Sequence, residues 1–237
     1  MKSALKWTAI FIFGIFGGVF GAQILWPYFV EKPLFLQYRL EQNPAPVIEK
    51  KEIYIQENTA LQEIVRKVEK SVVNIEIKTK KGKIETTGLI STSDGTILAI
   101  SQNIPPAFSQ ITVNGDEFSA PATILKQDKN LSLLKIKKDN LPTVSFSETE
   151  NINLGERAFY LTKLFDENTK KPIFSVNAGF VSKIYPNVIY TNMYGQKEEI
   201  GSPLFNIKGE LLGIIFLDKS GKVEAIPISA IKTFLGL

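Results

Sequence analysis

The 237-residue chain is 44% hydrophobic and 22% charged, the composition of a chain that buries a core rather than a disordered one. It has no cysteine and no histidine, which excludes a disulfide framework, a thiolate zinc site, a His-metal site and any catalysis resting on an imidazole base. The net charge of +4 is spread over stretches such as "KTKKGK" (78–83) and "KIKKD" (135–139), which read as a solvated basic surface, a nucleic-acid or anionic-lipid patch being the lesser reading. No cofactor, metal or nucleic-acid partner is expected.

The N-terminus comes first. Lys2 and Lys6 precede a stretch from Trp7 to Val30 without a charged residue. About 20 apolar residues cross a bilayer as a helix, and Trp7, Trp26 and Tyr28 stand where interfacial aromatics belong. Residues 1–30 are therefore expected to be a single-pass membrane anchor. Its N-terminus should be cytoplasmic, leaving the rest outside the cytoplasm in a bacterial-type, periplasmic or other extracytoplasmic setting. The alternative is a signal peptide cleaved after Ala22 and a secreted product, but Phe20 occupies a position where a small residue is preferred. Gly14, Gly17, Gly18 and Gly21 form two overlapping small-xxx-small pairs that would let two such helices pair as a homodimer.

Residues 31–58, with Pro33, Pro44 and Pro46, read as an extended linker. A helix follows over 60–71, capped by Asn58 or Thr59. Leu61, Ile64, Val65 and Val68 recur at helical spacing and give it one apolar face.

From Ser71 the pattern is β. "VVNIEIKT", "TTGLIST", "GTILAIS", "QITVNG", "ATILKQD", "LSLLKI", "TVSFSE", "RAFYLTKL", "SVNAGFVSKIY", "VIYTNMY", "SPLFNI", "LLGIIFLD" and "VEAIPIS" are short apolar or alternating runs between turn residues. They predict an all-β barrel or sandwich pair. No glycine-rich phosphate loop is present.

Six of these phrases, in order, resemble the HtrA/Deg type of trypsin-like serine proteases. "KSVVNIEI" (70–77) resembles the first strand and "TGLISTSDGTILAISQNI" (87–104) the "GSGFIIS-DGYILTNNHVV" stretch. "ATILKQDKNLSLLKIK" (122–137) resembles "A-VVG-DP-TDLAVLKI", and "FSETENINLGERAFYL" (146–161) resembles "LGDSD-L-VGE-V-AIG". "SPLFNIKGELLGI" (202–214) resembles "GPLVN-KGEVIGI", and "VEAIPISAIKTFL" (223–235) resembles "GFAIPIN---KVL". The resemblance implies a trypsin-like double antiparallel β-barrel over 59–237, barrel 1 at about 71–143, barrel 2 at about 144–228 and a C-terminal helix at 229–237. That helix should pack through Ile231, Phe234 and Leu235. The type usually continues into a PDZ domain; this sequence stops after "AIPISAIKTFLGL", so peptide capture by such a domain is not expected. HtrA-type trimerisation is not carried over, because the residues behind it are not identifiable here.

Carried over by position, the family histidine falls on Gln102, the aspartate on Asn130 and the serine nucleophile on Ile200. The first glycine of "GNSGGP", an oxyanion-hole residue, falls on Glu198. Glutamine takes no proton from a serine, asparagine stabilises no imidazolium and isoleucine has no nucleophile. The resemblance thus implies a pseudoprotease with no catalytic residues, acting by protein or peptide binding or as a structural or regulatory envelope component.

Two alternatives stand beside it. One is an atypical serine hydrolase using Ser202 with a lysine base, for which Lys163 and Lys197 are nearest in sequence; the bland reading of Ser202 is a turn-backbone hydrogen bond beside Pro203. A paired-carboxylate site at Glu198 and Glu199 is not expected, because neighbours on a strand face opposite ways. The other alternative is an unrelated sugar- or lipid-binding module. Its groove would be lined by Phe108, Phe118, Phe146, Phe165, Phe174 and Tyr185, which otherwise read mostly as core.

Overall fold

A computed structural model describes residues 2–25, 57–148, 152–166, 169 and 171–237. The expected linker lies outside the described residues except for its last two positions, and Trp26 and Tyr28 lie outside them too. The chain divides into two compact units, Met1–Tyr54 and Ile55–Leu237.

In the first unit, helix α1 (Lys2–Phe20) runs into a π-helical turn at Gly21–Leu25. The stretch Lys6–Ile24, with a mean hydropathy of 1.7, is long and apolar enough to cross a membrane. Its side chains are exposed from Trp7 to Phe20, as expected where lipid is the solvent. A Cβ added at Gly14, Gly17, Gly18 or Gly21 would meet open space.

The second unit opens with helix α2 (Glu57–Val68), continued by a 3-10 turn over Glu69–Ser71. Asn58 and Thr59 therefore lie inside its first turn rather than before it, correcting the expected cap. Val68 is buried and Leu61, Ile64 and Val65 pack beside it, so the 3.6-residue spacing forms one apolar stripe.

Twelve strands then close two antiparallel barrels. The first contains β1 (Val72–Thr79), β2 (Gly82–Thr92), β3 (Thr96–Ile100), β4 (Gln110–Asn114), β5 (Ser119–Gln127) and β6 (Leu131–Ile136), ordered β1-β2-β3-β6-β5-β4. The second contains β7 (Arg157–Phe165), β8 (Pro172–Tyr185), β9 (Val188–Tyr194), β10 (Pro203–Asn206), β11 (Leu211–Leu217) and β12 (Lys222–Pro227), ordered β10-β11-β12-β9-β8-β7. Pairings β1–β4 and β7–β10 close them.

The two-residue period splits β1 and β3 between two clusters. Val73, Ile75, Ile77, Ile97 and Ala99 fill barrel 1, whereas Val72, Leu98 and Ile100 belong to the cluster continuous with barrel 2. The expected strand "TVSFSE" is reduced to a single bridge between Phe146 and Leu211; closed barrels offer no free edge for a further strand. Helix α3 (Ile228–Leu235) ends on left-handed Gly236 and buries Ile228, Ile231 and Phe234, with Leu235 half-buried beside them.

Of the six aromatics named for a groove, Phe118 and Phe146 pack against the two core clusters, and none is fully buried. Phe108, Phe174 and Tyr185 are exposed and Phe118, Phe146 and Phe165 half-buried. Phe108, Phe118 and Phe165 also line three different cavities. Among the described residues the buried aromatics are Phe159, Tyr160, Phe205 and Phe234.

Candidate functional site

A hydrogen-bonded seam fixes one barrel against the other. The Phe165 N–H donates to Glu85 Oε2 at 3.2 Å. Thr86 Oγ1 donates to the Ile200 carbonyl at 3.1 Å. Thr87 exchanges two bonds with the Lys163 backbone, at 3.3 and 3.1 Å. Three consecutive β2 residues thus index β7 and the 200 loop, and buried polar groups held this way leave little freedom to slide.

Gln102 sits on a 3-10 turn, Ser101–Asn103, directly after β3. The Ser101 N–H donates to the Asn130 carbonyl at 2.9 Å, and the Ser101 and Ser132 hydroxyls meet at 2.7 Å. On the other side, Asp128 Oδ1 accepts the N–H groups of Asn130 and Leu131, each at 2.7 Å. This shapes the β5–β6 turn that presents Asn130. Gln102 and Asn130, far apart in sequence, come to line one cavity of about 350 Å³ with Lys129, Asn187, Phe216 and Ile226. Ile200 does not line that cavity, but its carbonyl accepts a bond from Asn103 Nδ2, the residue after Gln102, at 3.0 Å. The Ile200 side chain is only 7% exposed and joins the core cluster that includes Ile100.

The peptide before Ile200 is a 3-10 turn, Lys197–Glu199, and not the strand expected of "EEI". Its cause is a capping box: Gln196 and Glu199 exchange side-chain-to-backbone bonds, the Gln196 N–H donating to Glu199 Oε2 at 2.8 Å. Within the turn the Ile200 N–H donates to the Lys197 carbonyl at 3.3 Å and the Ser202 N–H to the Glu199 carbonyl at 3.1 Å. The backbone donor at position 200 is thus turned inward onto its own chain. Glu198 is exposed.

Glu199 is held further by the Tyr160 hydroxyl at 2.9 Å and the Ser175 hydroxyl at 3.2 Å, while Asn177 Nδ2 donates to the Tyr160 oxygen at 3.0 Å. Burial pushes the Tyr160 phenol upward and the Glu199 carboxylate adds to it, against the Asn177 bond, which lowers it. A phenol raised in the folded state contributes fully below its unfolded value near 10 and is lost as pH climbs toward its folded value. Urea unfolding at pH 9 and pH 11 is expected to show the wild type losing more stability over that interval than Tyr160→Phe. At pH 7 that variant is expected to be less stable by about 1.5–3 kcal/mol, the range for a hydrogen bond to a charged group.

Gly201 turns the chain at φ +98, and a Cβ there would lie 2.9 Å from Thr86 Oγ1 and 3.0 Å from Ile100 Cγ2, so the turn tolerates only glycine. Ser202 is 0% exposed and its Oγ meets Thr162 Oγ1 at 2.8 Å. Lys163, the adjacent strand position, projects away from Thr162. Its ammonium is fully buried, bonded to Asp116 of the β4–β5 hairpin and 5.2 Å over the Phe174 ring. Lys197 is exposed. Among the described residues no lysine bonds Ser202, and no group of His, Cys, Asp and Glu could hold a metal ion.

Two features escaped sequence reasoning. The Gln196/Glu199 capping box is legible from its three-residue spacing, and it overrides the strand expected there. The Asp116–Lys163 pair was signalled by one lysine inside the apolar run "RAFYLTKLF", whose partner no spacing rule could name.

A family model for a trypsin-like peptidase domain matches residues 86–214. The chain belongs to this trypsin-like peptidase family. The match spans both barrels and contains Gln102, Asn130, Ile200 and Ser202. Among curated relatives, a probable periplasmic serine endoprotease, DegP-like, from Pseudomonas putida strain F1 is 31% identical over 153 residues, 60% of this chain and 32% of the relative. A Halomonas elongata protein of the same description is 29% identical over 154 residues. The chain spans about a third of the length of these relatives. Among solved structures, a serine endoprotease from Yersinia pestis superposes with a TM-score of 0.65 at 24% identity, covering 74% of this chain and 65% of that one. An HtrA-type protease solved with a tripeptide gives 0.64 at 20% identity, covering 74% and 62%. The curated relatives are described as periplasmic and DegP-like, and the solved structures share the fold of this domain.

Proposed function

We propose that this trypsin-like domain is proteolytically inactive and works by binding another protein or peptide, as a structural or regulatory part of the cell envelope. One observation carries the reading. The family resemblance sets Gln102, Asn130 and Ile200 where the histidine, aspartate and serine would stand, and it is supported by Gln102 and Asn130 lining one cavity while the Ile200 carbonyl bonds Asn103, next to Gln102. By the same resemblance the nucleophile's position falls to a buried isoleucine, Ile200. The inward-turned Ile200 N–H supports the same reading, because a donor used by its own backbone does not stabilise an oxyanion.

In this proposal helix α1 stays in the membrane with its N-terminus in the cytoplasm and the domain outside, as the periplasmic relatives favour. Pairing of two copies through Gly14, Gly17, Gly18 and Gly21 belongs to the same proposal. The buried Ser202–Thr162 pair supports a packing role for Ser202 over the nucleophile's role.

The test is fluorophosphonate labelling and casein hydrolysis by residues 57–237, beside an active serine protease. The expected result is neither labelling nor cleavage. Labelling that maps to Ser202 and disappears in Ser202→Ala would overturn the proposal.

A further inference from the structure

The tip of the β1–β2 hairpin carries Lys78, Lys80, Lys81 and Lys83, all exposed. Lys78 and Lys83 have acidic neighbours: Lys78 Nζ lies 3.8 Å from Glu76, and Lys83 Nζ lies 2.6 Å from Glu85. Among the described residues no carboxylate pairs with Lys80 or Lys81. The tip is a built turn. Thr79 Oγ1 donates to the Gly82 carbonyl at 2.8 Å and accepts the Lys81 N–H at 3.2 Å.

This hairpin forms one wall of a cavity of about 550 Å³; the other wall is the loop Pro105–Ser109. Ser109 ties the walls together, its N–H and its hydroxyl donating to the Lys78 carbonyl at 2.8 and 3.0 Å. The apolar lining is Ile84 from the hairpin and Pro105, Pro106, Ala107 and Phe108 from the loop, with Ile84 37% and Phe108 38% exposed.

An apolar strip edged by unpaired ammoniums has the layout of a bilayer interface, where phosphates border acyl chains. Lysine stems lie along apolar surface while their heads reach anions, and aromatic and proline edges settle at headgroup depth. A purely acidic partner would match the lysines and leave the apolar strip uncovered. The same chain also carries a helix apolar enough to span a membrane, so a bilayer is the anionic surface this domain meets at the highest effective concentration.

We propose that the β1–β2 hairpin tip and the Pro105–Ser109 loop dock on an anionic phospholipid surface and hold the domain against the bilayer face. The effective-concentration step rests on the anchored reading above; the docking itself is tested without the helix. Residues 57–237 contain both closed barrels and both hydrophobic clusters, so this unit is self-contained.

The experiment sediments this unit with phosphatidylglycerol vesicles and, separately, phosphatidylcholine vesicles. Binding is expected to phosphatidylglycerol at low salt, weakening as ionic strength rises, with none to phosphatidylcholine. A lysine near an anionic surface is worth roughly fivefold in binding, so Lys80→Glu with Lys81→Glu is expected to weaken it by at least about 25-fold. Phe108→Ser should weaken it severalfold. Lys208→Glu with Lys219→Glu makes the same change in net charge on exposed turns of barrel 2 and is expected to leave binding intact. Equal loss in the two charge-reversed variants, equal binding to phosphatidylcholine, or no binding to phosphatidylglycerol would each overturn the proposal. The anchor is read separately, by whether the full chain stays in membranes washed with alkaline carbonate; its failure there leaves the vesicle result standing.

Discussion

Restoring the three family residue types by Gln102→His, Asn130→Asp and Ile200→Ser is expected to leave peptide hydrolysis at background. The structure gives two reasons. The Ile200 N–H is bonded to the Lys197 carbonyl at 3.3 Å, so a serine placed there would meet an oxyanion site lacking its own backbone donor. One such donor is worth about 10²–10³ in rate. The turn that consumes it is also clamped, because the Glu199 carboxylate collects the Gln196 N–H and the hydroxyls of Tyr160 and Ser175. Reversing the turn means breaking these bonds. Adding Glu198→Gly, Glu199→Asn and Ser202→Gly removes the capping box and rebuilds the family's glycine-rich turn. That six-residue variant is where turnover should first rise, by about 10²-fold or more over the three-residue variant. The measurement is initial rate on a fluorogenic peptide panel, with fluorophosphonate labelling to count competent sites. Turnover by the three-residue variant alone would show that the clamped turn is no barrier and that only the side chains were missing.

The second large effect concerns the buried ammonium of Lys163. Removing one member of a buried ion pair costs about 3–5 kcal/mol, because the remaining charge stays desolvated. Asp116 is 38% exposed, so water reaches its side of the pair. Asp116→Ala is therefore expected to cost about 2–3 kcal/mol, measured as a lower urea midpoint at unchanged slope. Lys163→Met removes the ammonium itself, keeps an apolar stem against Phe174 and leaves Asp116 to solvent. It should stay within about 1 kcal/mol of wild type. Combining the two should recover most of what Asp116→Ala loses, and a double variant as unstable as Asp116→Ala would refute the unpaired-charge account. Since Asp116 belongs to barrel 1 and Lys163 to barrel 2, the pair belongs to the same seam as Thr86, Thr87 and Ile200.

The sequence by itself determined the membrane-length helix and the β-rich body. Those features are written in local periods: the uncharged run from Trp7, the helical spacing of Leu61, Ile64, Val65 and Val68, and alternation such as Val73, Ile75 and Ile77. The absence of histidine, legible without any fold, removed imidazole chemistry outright. Where local spacing was misread, as at Gln196–Glu199, the competing signal was an apolar strand beginning at Pro203 that drew the turn into it.

Only the tertiary structure decided the rest. Nothing local joins Asp116 to Lys163, or Tyr160 to Glu199 and Asn177, or Thr86 to the Ile200 carbonyl. Tyr160 meets Asn177 across the β7–β8 pairing, while Asp116–Lys163 and Thr86–Ile200 join one barrel to the other, and each forms because a polar group that lost water had to find another partner. The aromatics show the same limit from the other side. Phe108 and Phe174 are as apolar as the core residues Phe159 and Phe205, and only their place on a strand or loop relative to the closed barrels decides which of them meet solvent.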